Sequence, residues 1–129
     1  MRIGQVAQAA GVTTKTLRFY EDVGLLRPAG RTSAGYRDFD PDVLERLDFI
    51  RRGQAAGLTL AQVRQVLQIR DDGQAPCGHV TQLLTSRLED IDRQVAQLER
   101  LRATVADLRD QAAGADPTAC LPEDVCRYL

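Results

Sequence analysis

Over the first seventy positions apolar residues recur three and four apart in short bursts, each cut off by glycine or proline. In "IGQVAQAAG", Ile3, Val6, Ala7 and Ala10 share one face of a short helix, and Gly11 supplies the left-handed residue that ends it. Thr13 and Thr14 offer capping hydroxyls for a second helix, expected to bury Val12, Thr16, Phe19, Tyr20 and Val23 and to stop at Gly24. Two short helices joined by a tight glycine turn make a helix-turn-helix. The stretch "LLRPAGRTSAGYRDF" is too punctuated for a helix and predicts a hairpin or wing. Asp40 as N-cap and Pro41 in the first helical position then open a third helix with Val43, Leu44, Leu47 and Ile50 inward, closed by Gly57. "TLAQ" from Thr59 is a capping box for a fourth, with Leu60, Val63, Val66, Leu67 and Ile69 apolar.

After a polar break, "RDDGQAP", the pattern changes. Val80, Leu84, Leu88, Ile91, Val95, Leu98, Leu101, Val105, Leu108 and Ala112 continue without glycine or proline through residues 79–113. From Leu84 to Leu98 the spacing is heptad-like, and the paired steps of three around Leu98 act as a stammer. A helix of this length extends beyond roughly 50 Å, too long to be covered by so small a domain, so the pattern predicts a coiled-coil dimerisation helix.

Composition adds limits. The 129 residues are 43% hydrophobic and 27% charged, which describes a soluble chain of one domain with an appendage. Arg2, Lys15, Arg18 and Arg27 interrupt the first thirty residues and no later stretch forms a long uncharged apolar run, so neither a signal peptide nor a membrane span is expected and the predicted location is cytoplasmic. The net charge of -1 conceals an asymmetry. Residues 1–70 carry +4 and residues 71–129 carry -5, which points the front half toward a polyanion. Two serines and one histidine, with no nucleophile and base in register, do not describe an enzyme.

The outer face of the second helix presents Thr13, Thr14, Lys15 and Arg18, hydroxyls and cations suited to base edges and phosphates in a major groove. The wing adds Arg31, Tyr36 and Arg37. "IGQVAQAAGVTTKTLRFYEDVGLLRP" followed by "AGYRDF" resembles the DNA-binding domain of the MerR family of transcriptional regulators, over residues 1–70. That resemblance implies a mainly α fold: a winged helix-turn-helix, a long antiparallel coiled-coil dimerisation helix and a short C-terminal metal-binding loop. It implies a homodimer on an inverted-repeat promoter, Lys15, Arg18, Tyr20, Arg31, Tyr36 and Arg37 on the DNA, and a switch that untwists the promoter so that RNA polymerase engages both its elements. The expected divisions are 1–70 for DNA binding, 71–76 as linker, 77–113 as coiled coil, and 114–129 as a metal-binding loop with a short helix.

Three cysteines in a reducing compartment argue against a disulfide framework and leave metal binding, redox sensing or burial. Cys77 heads the long helix, and Cys120 and Cys126 lie beyond its end. The connector from Ala113 to Cys120 reaches at most about 25 Å, so the tail cannot return to Cys77 of its own chain. An antiparallel pair of helices instead sets Cys77 of one protomer beside the tail of the other, twice per dimer. The family resemblance implies the same arrangement, with Cys77 pointing to a divalent thiophilic ion. Three thiolates suit zinc, cadmium, lead or mercury and not magnesium or calcium. His79, two residues after Cys77, is a candidate fourth ligand for zinc. Thiol-based redox or electrophile sensing is the alternative for the same residues.

Overall fold

The computed structural model describes residues 1–115 and Val125. Cys120, Cys126 and the expected C-terminal loop and short helix beyond Ala115 lie outside the described residues. The chain is mainly helical and divides into two units, Met1–Arg87 and Leu88–Leu129.

In the first unit, α1 (Ile3–Ala10) and α2 (Thr14–Asp22) form the helix-turn-helix. Gly11, at φ 69°, lies in the left-handed region that a residue with a Cβ rarely adopts, which makes the turn short. Thr13 caps α2, its hydroxyl accepting from Thr16 N at 3.1 Å. The inner face of α2 differs from the expected one. Leu17 and Tyr20 are buried, whereas Phe19 is 49% exposed. Leu17 and Tyr20, three apart, stack on the ridge that meets α1, and Phe19 falls one step of about 100° away from Tyr20, off that ridge.

The wing is a two-stranded antiparallel hairpin, β1 (Gly30–Arg31) and β2 (Arg37–Asp38), in which Arg31 pairs with Arg37. Thr32 N donates to Tyr36 O at 2.8 Å across its loop. Phe39, just after β2, is buried, and its N–H donates to Met1 O at 2.6 Å, which seats the base of the wing beside α1.

Helix α3 (Val43–Ala55) has Asp42, not Asp40, as its N-cap, and Pro41 precedes the helix. Val43 N donates to Asp40 O at 3.0 Å, so residues 40–42 form a leading turn rather than the first helical residues. Helix α4 (Leu60–Asp71) begins with the capping box: Thr59 Oγ1 accepts from Gln62 N at 3.1 Å, and Gln62 Oε1 accepts from Thr59 N at 2.9 Å. Val6, Leu17, Leu25, Leu26, Ile50 and Val63 form the fully buried centre. One charged residue joins them. Arg46, 3% exposed, donates through Nε and Nη2 to Leu25 O at 3.3 and 2.9 Å and through Nη1 to Asp71 Oδ1 at 2.7 Å.

Helix α5 runs Cys77–Ala113. Its first turns belong to the first unit: Leu83 packs against the core and Arg87 Nε donates to Ala56 O at 3.2 Å. Leu84, Leu88, Ile91, Val95, Leu98, Leu101 and Val105, at the heptad-like positions, are all exposed in the single chain.

Candidate nucleic-acid interface and thiol site

Helix α1, helix α2 and the wing enclose an open cleft of about 520 Å³. Arg2 reaches it from ahead of α1, Arg18 from α2, Arg31 from β1 and Arg37 from β2. The fold thus converges four guanidinium groups from segments that are separate in sequence, which makes a positive groove on a chain of net charge -1. Gln5 and Gln8 add amide groups able to hydrogen-bond bases or sugars.

The predicted contact residues do not all fare alike. Lys15 and Arg18 are exposed on α2; Thr14 is half-buried in its first turn. Thr13 is exposed, but its hydroxyl is engaged as the cap and lies 2.9 Å from Thr16 Oγ1. Arg31 is exposed and donates from Nη1 to Gly35 O at 3.3 Å. Tyr36, 56% exposed, carries the Arg2 guanidinium 4.7 Å from its ring centroid, a cation–π contact that joins the wing to the start of α1. Tyr20 is 9% exposed, its ring packs in the core, and its hydroxyl lies 3.5 Å from Gln54 Oε1.

Arg37 is not a free cation. Its Nε lies 3.6 Å from Glu21 Oε1, and the two side chains are 27% and 17% exposed. Sequence reasoning missed Arg2 and Glu21, because a basic residue just ahead of a helix and an acid near the end of one are ordinary surface residues by pattern.

The thiol site is described in part. Cys77 is exposed at the first position of α5. Two residues on, in the first turn, stands His79. Its Nε2 is shielded from solvent and has no hydrogen-bond partner. Among the described residues no three His, Cys, Asp or Glu side chains gather where they could hold a metal.

The sequence matches the family described as MerR HTH family regulatory protein over residues 1–69, and that described as MerR, DNA binding, over residues 44–108. The chain belongs to the MerR family. Proteins of this family are DNA-binding transcriptional regulators rather than enzymes. The fold superposes with TM-score 0.76 on the crystal structure of the transcription regulator PbrR691 from Ralstonia metallidurans CH34 in complex with lead(II), which is 34% identical, with 93% of this chain and 94% of that one covered. The chain is also 34% identical to a probable heavy metal-dependent transcriptional regulator of Haemophilus influenzae, over 94% of each chain. Identity is again 34% to the mercuric resistance operon regulatory protein of Bacillus cereus, over 85% of this chain and 83% of that protein. No helix among the described residues is long and apolar enough to cross a membrane.

Proposed function

We propose that this MerR-family chain is a metal-responsive regulator, a homodimer that binds promoter DNA and alters transcription when a divalent thiophilic ion occupies a site shared by its two protomers. The ligands are Cys77 of one protomer and Cys120 and Cys126 of the other. The observation that carries the reading is the exposed Cys77 thiol at the head of α5, joined with relatives whose names record lead, mercury and heavy metals. Zinc, cadmium, lead and mercury fit three thiolates. The exposed apolar series on α5, from Leu84 to Val105, is the surface a second α5 would cover, and an antiparallel pairing brings each tail to the partner's Cys77. Metal acts as a switch when it binds two arrangements of the dimer unequally, and a site bridging two protomers is sensitive to their relative rotation. On DNA, Lys15 and Arg18 face the major groove, the wing arginines follow the phosphates, and RNA polymerase reads the resulting promoter geometry.

Mixing two inactive variants tests the shared site. Cys77→Ser and Cys120→Ser each lose tight metal binding as pure homodimers. Their heterodimer combines intact Cys77 from one chain with Cys120 and Cys126 from the other at one end, so about one tight site per heterodimer returns by symmetry. Zero recovery in metal titration, with heterodimers confirmed by mass, would rule out the intersubunit site.

A further inference from the structure

The wing carries an electrostatic conflict. Arg31 and Arg37 are directly paired across the hairpin and so share one face of it, an arrangement of like charges that is unfavourable unless a third group intervenes. Among the described residues, the ion-pair partner of Arg37 is Glu21, from the last turn of α2. An acid beside a DNA-facing cleft also repels phosphate, so this carboxylate is doubly out of place unless it serves Arg37.

Its geometry is that of an unfinished contact. Glu21 Oε1 and Arg37 Nε are 3.6 Å apart, within ion-pair range but beyond a hydrogen bond. Arg37 Nε and Glu21 Oε2 are both shielded from water and without hydrogen-bond partners. Two mutually complementary groups thus face each other, one on α2 and one on the wing. Arg37 also lines the cleft, whereas Glu21 does not.

We propose that Glu21 is a positioning residue for DNA recognition. It takes the Nε edge of Arg37, offsets the repulsion from Arg31, and fixes the wing at the distance from α2 at which both can contact one duplex. The inference rests on the DNA-binding reading of the cleft, and the following experiment separates the two.

The probe is the duplex that the wild-type chain selects from a random pool, with binding read by fluorescence anisotropy over a salt series. Arg18→Ala serves as the control for groove contact. Glu21→Gln weakens binding about tenfold, a loss of about 1.4 kcal/mol. It leaves the slope of log K against log salt unchanged, since Glu21 neutralises no phosphate. Arg37→Gln lowers that slope by about one. In the Arg37→Gln background Glu21→Gln has no further effect, the signature of a residue acting through another. Equal or tighter binding by Glu21→Gln, or a loss that persists undiminished without Arg37, overturns the proposal. If Glu21→Gln melts below the assay temperature, Glu21→Met, which keeps the chain length without the charge, carries the same expectations. A wild-type chain that selects no duplex, or an Arg18→Ala variant with full affinity, overturns the reading of the cleft and the inference with it.

Discussion

Asp71→Asn is the perturbation whose size follows most directly from the structure. Asp71 Oδ1 accepts from Arg46 Nη1 at 2.7 Å and from Arg27 Nη2 at 2.8 Å, and Arg46 is one of the most deeply buried residues of the first unit. Removing one partner of a buried pair costs about 3–5 kcal/mol when the surviving charge is left alone. Two features reduce that here. The Asp71 side chain retains 23% exposure, and Arg46 keeps both bonds to Leu25 O. Asparagine also preserves a neutral acceptor, so the expected loss is about 2 kcal/mol, read from urea unfolding at fixed protomer concentration. The pH dependence gives a second check. Burial pushes the Asp71 carboxyl up, but the hydrogen bonds from Arg27 and Arg46 outweigh it and hold the group below its ordinary value. A depressed folded-state pKa contributes stability that is fully present above the unfolded value of about 3.9 and is lost as pH falls through the folded value. The difference between wild type and variant is therefore flat above about pH 5 and shrinks below about pH 4. A difference under about 0.5 kcal/mol at pH 7, the usual size of a surface substitution, or one unchanged in acid, would refute the assignment of Asp71 as the counter-ion of Arg46.

Two further outcomes are expected. Ile91→Asp, in the exposed apolar series of α5, places a charge in the proposed dimer seam and yields monomers by light scattering, because desolvating it is costly; a fully dimeric variant would remove the coiled-coil argument. Gly53→Ala lies inside α3, where a Cβ would sit 2.8 Å from Val63 Cγ2 in the core. The added methyl lowers stability by about 1 kcal/mol net, overpacking of about 1–3 kcal/mol offset by helix propensity, and a stabilised variant would refute this packing.

Much of the fold was legible because local chemistry and global packing agree in this chain. The Thr59–Gln62 box, Gly11, and the unbroken apolar series of α5 each name their element by a mechanism that needs no tertiary partner. Where the sequence misled, two residues competed for one role. Asp40 and Asp42 are both good caps, and only the turn through Pro41 decides between them. Phe19 is the larger apolar residue, but Leu17 sits on the ridge that α1 meets. The cleft was half legible: Arg18 and Arg31 are exposed cations that line it, whereas the burial of Tyr20 and the pairing of Arg37 with Glu21 depend on distant segments. Arg46 left a signal that went unused. It stands three residues after Val43 and four before Ile50, on the inward face, where a charge requires a buried partner.

A chain of contacts also runs from the head of α5 to the end of α2. Cys77 and Arg87 stand ten residues apart on one continuous helix, about 15 Å along its axis, so that segment moves as a body. It is fastened at two points: Leu83 packs into the core, and Arg87 binds Ala56 O just past α3 while its guanidinium fills the space a Cβ on Gly57 would need. From α3, Arg46 reaches Leu25 O, three residues after α2 ends. Every step is a packed or hydrogen-bonded contact, and each of them lies within Met1–Arg87. A displacement of Cys77 that this segment carries as a body therefore bears on the Arg87 bond to Ala56 O and on the packing of Leu83.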